Sequence, residues 1–196
     1  LARAMWKTYL GRPVTDDKRS MAMGQLGNAL NSNGRYTEAL PVIEASLAFR
    51  RRWWSHEEEF IRTGQCHLAA CLGGLGRYDE ALVLYREIYA REVATLGVSH
   101  EHTIGTSCNI ASSLWSLKLW DDAIKMYRDQ ALPAARKSLG DDHDFTLKIS
   151  QNLAMALVEN PERTRDDLRL SRHDQTQRPG FDLTGDDLLE AETTMQ

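Results

Sequence analysis

The chain has 196 residues, of which 42% are hydrophobic and 27% are charged, and its formal net charge is -4. This balance excludes the broad basic surface that nucleic acid or an anionic membrane surface requires. No run of about 18 apolar residues exists to span a bilayer, and the first residues lack the pattern of a secretory signal. The three cysteines are odd in number, so a disulfide framework is not expected. We therefore expect an intracellular, cytoplasmic protein that binds no nucleic acid and does not insert into membranes.

One short motif occurs three times at intervals of 42 residues, as GRYTEAL from residue 34, GRYDEAL from residue 76 and KLWDDAI from residue 118. A small residue also stands seven positions before each glycine register, at Gly27, Ala69 and Ala111. The repeated positions, which we take as a structural signature, are Gly34, Tyr36, Ala39, Gly76, Tyr78, Ala81, Trp120 and Ala123.

Apolar residues recur at spacings of three and four on both sides of each motif, which predicts two helices with a turn at the glycine register. In chain order, we call the first helix of each hairpin inner and the second outer. The inner helices are predicted at residues 16–33, 57–75, 101–117 and 144–159. The outer helices are predicted at residues 36–53, 78–95 and 120–138. One such hairpin cannot bury its own apolar face, so the hairpins are expected to stack as an α-solenoid.

The motif G-x-Y-x-x-A, with a small residue seven positions before its glycine, resembles the tetratricopeptide repeat (TPR). The period of 42 residues and the links ATLGVSHEHT and KSLGDDHDFT are similar to the long repeats of kinesin light chains. Glu101 and Asp144 stand where that link normally has proline, and the first link, WWSHEE, lacks its Leu-Gly pair. The resemblance implies an all-α, right-handed α-solenoid of stacked antiparallel helical hairpins.

Register defines three segments of the chain. Residues 1–11 are expected to end the outer helix of a preceding repeat, so that the chain starts within an array. Residues 12–160 are expected to form three full hairpins and the inner helix of a fourth. Residues 161–196 are interpreted as a degenerate repeat, a polar loop and a short C-terminal helix that either caps the array or binds a partner.

The resemblance also implies a binding groove. In the related scaffolds an Asn before a Leu-Ala pair faces the groove and hydrogen-bonds the backbone of a bound peptide. The same register holds the polar residues Gln25, His67, Asn109 and Asn152, of which the two asparagines match the family residue. The alternative is that these side chains hydrogen-bond a neighbouring helix.

A second candidate surface is the run RRRWW at the end of the first outer helix, formed by Arg50, Arg51, Arg52, Trp53 and Trp54. Guanidinium groups and exposed indoles are typical of protein interfaces. The alternative, which we favour for the tryptophans, packs both indoles against the next hairpin and leaves the arginines in solvent.

Potential chemical sites are better explained as structure. His67 and Cys71 share a helix face, but no second ligand pair has matching spacing, so packing is favoured over a metal site. His100 and His143 recur at one link register, which indicates capping or packing rather than catalysis. We expect no metal, no cofactor and no catalytic residues.

These observations predict a non-catalytic scaffold or adaptor that binds a protein segment in its concave groove. Two alternatives stay open. The chain could be an architectural subunit that docks in a larger assembly through its convex face and ends, or the interaction domain of a larger enzyme.

Overall fold

The computed structural model describes residue 11 and residues 17–53 and 58–160. The predictions for Trp54, for residues 161–196 and for residues 1–11, apart from Gly11, lie outside the described residues. The chain divides into two compact units, residues 1–156 and residues 157–196. Only residues 157–160 of the second unit are described.

Residues 17–53 and 58–160 form helices joined by short turns, and these two ranges contain no strand. In chain order the helices are α1 Asp17–Ser32, α2 Tyr36–Trp53, α3 Glu58–Gly74, α4 Tyr78–Thr95, α5 Glu101–Ser116, α6 Trp120–Lys125, a π-helical turn Met126–Ala131, α7 Leu132–Leu139 and α8 Asp144–Glu159. The predicted bounds are confirmed to within one residue. Consecutive helices from α1 to α6 pack against each other, and α7 also packs on α5, so the fold is an all-α solenoid of antiparallel hairpins.

Small residues lie where the two helices of a hairpin cross, as the repeat signature predicts. Ala39, Ala81 and Ala123 are each 0% exposed. A Cβ added at Gly27 would lie 2.7 Å from Cγ1 of Ile43. The close approach of the helices therefore requires glycine or alanine at these positions.

The turn between the helices of each hairpin repeats with the same backbone geometry. Gly34 and Gly76 have φ of +70° and +78°, and Lys118, which replaces the glycine in the third hairpin, has φ of +62°. The N–H of Leu119, the residue after Lys118, donates to the carbonyl of Leu114 at 3.0 Å. This hydrogen bond closes a turn of six residues, and together with the left-handed conformation of Lys118 it forms a Schellman motif, which satisfies the last carbonyls of the inner helix.

One residue is inserted in the third outer helix. The link residues Leu96 and Leu139 are 43 positions apart, one more than the period of the preceding motifs. The extra residue is accommodated by the π-helical turn Met126–Ala131, in which the N–H of Leu132 reaches back five residues to the carbonyl of Tyr127. The buried faces before and after the turn consequently keep their register.

The two link histidines cap inner helices. Nδ1 of His100 accepts a hydrogen bond from the N–H of His102 at 3.2 Å, and Nδ1 of His143 accepts one from the N–H of Phe145 at the same distance. Each imidazole thus satisfies one of the unpaired donors in a first helical turn. The structural interpretation of these histidines is confirmed.

The apolar core continues from one hairpin to the next. Cys71 of α3 is fully buried against Leu26, Leu30 and Ile43 of the first hairpin. Its thiol donates to the carbonyl of Tyr36 at 3.4 Å. Cys71 is therefore a packing residue, as predicted, and it helps to join neighbouring hairpins.

Candidate functional site

The four polar residues predicted for the groove lie on the inner helices α1, α3, α5 and α8. The side chains of Gln25 and Asn109 are exposed, whereas those of His67 and Asn152 are half-buried. An exposed amide retains both its donor and its acceptor for a ligand. Gln25 and Asn109 are thus the two positions most open to a bound chain.

Asn152 already has a partner on an outer helix. Its side chain hydrogen-bonds the hydroxyl of Tyr127, a buried residue in the π-helical turn. Burial raises the pKa of Tyr127 to about 12, and the hydrogen bond from Asn152 opposes that rise. For this asparagine, the geometry matches the alternative of support for a neighbouring helix.

His67 lies close to a buried cation. Burial, followed by the positive charge of Arg50, lowers the pKa of the His67 imidazole. The ring is therefore neutral at neutral pH, with one nitrogen that donates and one that accepts.

Beside Asn109, a cavity of about 310 Å³ opens between inner helices. Its walls come from α3, α5 and the first turn of α8, and one residue of α4 contributes from behind them. The lining residues are Arg62, Cys66, Glu92, Glu101, His102, Gly105, Thr106, Asn109 and Phe145. The predicted register therefore contributes one residue to this cavity, and the other eight were not predicted.

A buried ion pair contributes to the cavity. Nη1 of Arg62 lies 2.7 Å from Oε1 of Glu92, whose side chain is completely buried. The neighbouring Arg91 donates from Nη2 to Oε1 of Gln65 at 2.5 Å. These contacts hold α4 against α3 through charged groups.

The repeat spacing of the sequence contains a signal that could have identified Glu92 as a buried residue. Glu92 stands 42 residues after Arg50 and 43 before Ala135, and all three are buried. In the three described outer helices this position is therefore internal, and it holds a cation, an anion and a methyl group in turn. The pattern identifies both charges as internal, although it does not identify Arg62 as a partner.

The described residues of the arginine and tryptophan run differ in their exposure to solvent. Arg50 is buried and its Nη1 donates to the carbonyl of Phe60 at 2.7 Å, so the expectation that it faces solvent is wrong. Arg51 and Arg52 are exposed. Trp53 is 48% exposed rather than packed away, and the guanidinium of Arg52 lies 5.4 Å from the centre of its ring. Among residues 50–53, the described part of this run, the exposed residues are therefore Arg51, Arg52 and Trp53.

The remaining thiols are poorly suited to chemistry. Burial raises the pKa of Cys66 to about 11 and that of Cys108 to about 12. Both thiols stay protonated at neutral pH, which makes them weak nucleophiles and weak metal ligands. Over residues 17–53 and 58–160, no three His, Cys, Asp or Glu side chains converge in a way that could hold a metal ion. None of the described helices combines the length and apolarity that a membrane crossing needs.

Stacked antiparallel hairpins with glycine turns and alanine crossings define a helical repeat protein. The sequence model of the tetratricopeptide repeat matches residues 18–91. No curated protein sequence matches the chain. Residues 18–91 therefore carry the sequence pattern of tetratricopeptide repeats, and the long period of the chain resembles that of kinesin light chains.

Three solved structures show the same fold at low sequence identity. One is a Podosopora anserina protein assigned as a kinesin light chain, with nearly identical TPR-like repeats; it is 20% identical, has a TM-score of 0.71, and the match covers 91% of this chain and 86% of that one. A point variant of the same protein gives 21% identity with the same TM-score and coverage. BtubC (BKLC) from P. vanneervenii is 14% identical, with a TM-score of 0.66 and coverage of 92% and 72%. Tetratricopeptide repeats generally mediate protein–protein interactions, and such scaffolds are typically not catalytic.

Proposed function

We propose that this chain is a non-catalytic scaffold or adaptor that binds an extended protein segment in a groove along its inner helices. The observation that carries the proposal is the exposed amide of Asn109 at the edge of a cavity whose lining comes mainly from inner helices. A side chain that both donates and accepts can pair with the backbone N–H and C=O of one residue in an extended segment.

The other register positions extend this line of polar groups. Gln25 is exposed on α1, and the neutral ring of His67 lies between it and Asn109 in repeat order. We assign Asn152 a supporting role, because its side chain already bonds Tyr127. The proposed contact line therefore consists of Gln25, His67 and Asn109.

The test begins with peptides selected from a random displayed library against the immobilised chain. Affinities of the selected peptides are then measured for the parent, for Asn109→Ala and for Ser112→Ala, an exposed position on the same helix but outside the register. We expect Asn109→Ala to weaken binding about tenfold, equal to about 1.4 kcal/mol, because the backbone N–H and C=O of one bound residue lose their partners. Ser112→Ala should bind like the parent.

Thermal melting of the same variants separates binding from folding. Both substitutions lie on the surface and should change stability by less than about 0.5 kcal/mol. If Asn109→Ala melts well below the parent, this asparagine is structural. If it melts normally and binds every selected peptide as the parent does, the groove proposal is wrong.

A second candidate is an architectural subunit that docks through its outer helices and ends. The exposed indole of Trp53, with the Arg52 guanidinium over its ring, has the composition of an interface hot spot. Trp53→Ala should then abolish co-sedimentation with the native assembly while peptide selection still yields Asn109-dependent ligands. Unchanged co-sedimentation would exclude a role for this indole in docking.

A further inference from the structure

The cavity beside Asn109 carries more negative than positive charge. Glu92 and Glu101 contribute two carboxylates, and Arg62 contributes one guanidinium that is already paired with Glu92. Glu101 is exposed at the first turn of α5, where it is open to a ligand. A cation is the group that this balance favours.

The carboxylate of Glu92 is only half satisfied. Oε1 accepts from Arg62, whereas Oε2 has no hydrogen-bond partner among the described residues. A buried carboxylate oxygen without a donor costs free energy, so the site gains when a ligand supplies one. Because Glu92 comes from the outer helix α4, it lies behind the inner-helix surface that we propose as the groove.

The walls and the size of the cavity suit one long side chain. Its volume of about 310 Å³ is at the lower limit of ordinary ligand pockets. Phe145 contributes a half-buried ring, against which a methylene chain or a cationic head can pack.

We propose that this cavity receives a lysine or arginine side chain of the bound protein segment, whose cationic head pairs with Glu101 and Glu92 while its stem packs on Phe145. The inference rests on the proposed function, since it assumes a segment that crosses the inner helices beside Asn109. It adds the chemical class of residue that the segment presents at this position.

The test titrates the isotopically labelled chain with three single-residue probes followed by nuclear magnetic resonance. The probes are the Nα-acetyl N-methylamides of lysine, of the neutral norleucine and of glutamate. The lysine probe should shift the backbone amides of Gly105 and Thr106, which line the cavity, in a saturable way. The norleucine and glutamate probes should not.

A matched pair of variants tests whether the carboxylate of Glu101 binds the cationic head of the lysine probe. Glu59 stands 42 residues before Glu101 at the first turn of α3 and does not line the cavity. Glu101→Gln should weaken the lysine probe at least about threefold, in line with the loss of one partly exposed ion pair, and Glu59→Gln should leave it unchanged. Because Glu92 is buried and paired, Glu92→Gln also perturbs the fold, so Glu101→Gln is the deciding variant.

Each other outcome overturns the inference. Equal shifts from norleucine would mean an apolar pocket, and a preference for glutamate would mean that Arg62 recognises an acidic residue. The absence of any shift with lysine would show that the cavity takes no basic group.

Failure of this inference and failure of the groove proposal are distinguishable. Selected peptides that need Asn109 but contain no common basic residue would overturn the inference alone. Saturable binding of the lysine probe, together with selected peptides that ignore Asn109, would overturn the groove proposal alone.

Discussion

Lys118 is strained in a way that a single substitution can relieve. It occupies the glycine position of the third turn with φ of +62°, a left-handed conformation that the Cβ of other residues disfavours. Its side chain is exposed, so little packing is lost when it is removed. We predict that Lys118→Gly stabilises the chain.

The size of the effect follows from two opposing terms. A non-glycine residue in this conformation costs about 1–2 kcal/mol, and the greater loss of backbone freedom by glycine offsets about 0.5–1 kcal/mol of the relief. The net gain is about 0.5–1 kcal/mol, which raises the Tm of a chain of this size by about 1–4 °C.

The assay is thermal and urea unfolding followed by far-ultraviolet circular dichroism. Lys118→Ala serves as the control, because it removes the favourable charge at the end of α5 but keeps the backbone strain. Gly76→Ala is the reciprocal change at φ of +78°, where a Cβ would meet no atom within 4 Å, so only backbone strain destabilises it. The reasoning is refuted if Lys118→Gly is no more stable than Lys118→Ala.

Three further outcomes are expected from matched substitutions. Gly74→Ala should lower the free energy of unfolding by about 1–3 kcal/mol, because its Cβ would lie 2.3 Å from the ring of Tyr36. At Gly73 an added Cβ has open space, so Gly73→Ala should raise the free energy of unfolding by up to about 1 kcal/mol in the same urea melts. Arg50→Ala should cost about 2 kcal/mol of stability, because the hydrogen bond to the Phe60 carbonyl is lost. Arg51→Ala, at an exposed position, should change stability by less than about 0.5 kcal/mol, and equal melting of the two variants would contradict the burial of Arg50. Because the pKa of His67 is lowered on folding, its neutral form contributes stability that is complete above the ordinary pKa near 6.5 and is lost as pH falls toward the folded value. The fall in Tm between about pH 7 and pH 5 should therefore be smaller for His67→Asn than for the parent, and an unchanged pH profile would exclude His67 as the titrating group.

Local signals in the sequence were sufficient for the helices and their stacking. The glycine turns, the histidine caps and the small residues at the crossings act within a few residues of chain or recur at fixed intervals, so their effect can be read without knowledge of distant contacts. For this reason the bounds of Tyr36–Trp53 and Tyr78–Thr95 coincide with the predicted outer helices. Leu96 and Leu139 are 43 rather than 42 positions apart, and only the structure located the extra residue in the turn Met126–Ala131.

The partners and surroundings of the buried charges were decided by tertiary structure. Arg50 and Arg51 are adjacent and chemically identical, yet one lies between helices and the other in solvent, because the neighbouring hairpin covers only one face of α2. In the same way, the pairing of Arg62 with Glu92 joins residues 30 positions apart whose contact depends on how α3 packs against α4. Sequence periodicity determines which face of a helix is internal, but the partner of a buried charge, and the cavity beside it, exist only once neighbouring repeats have packed.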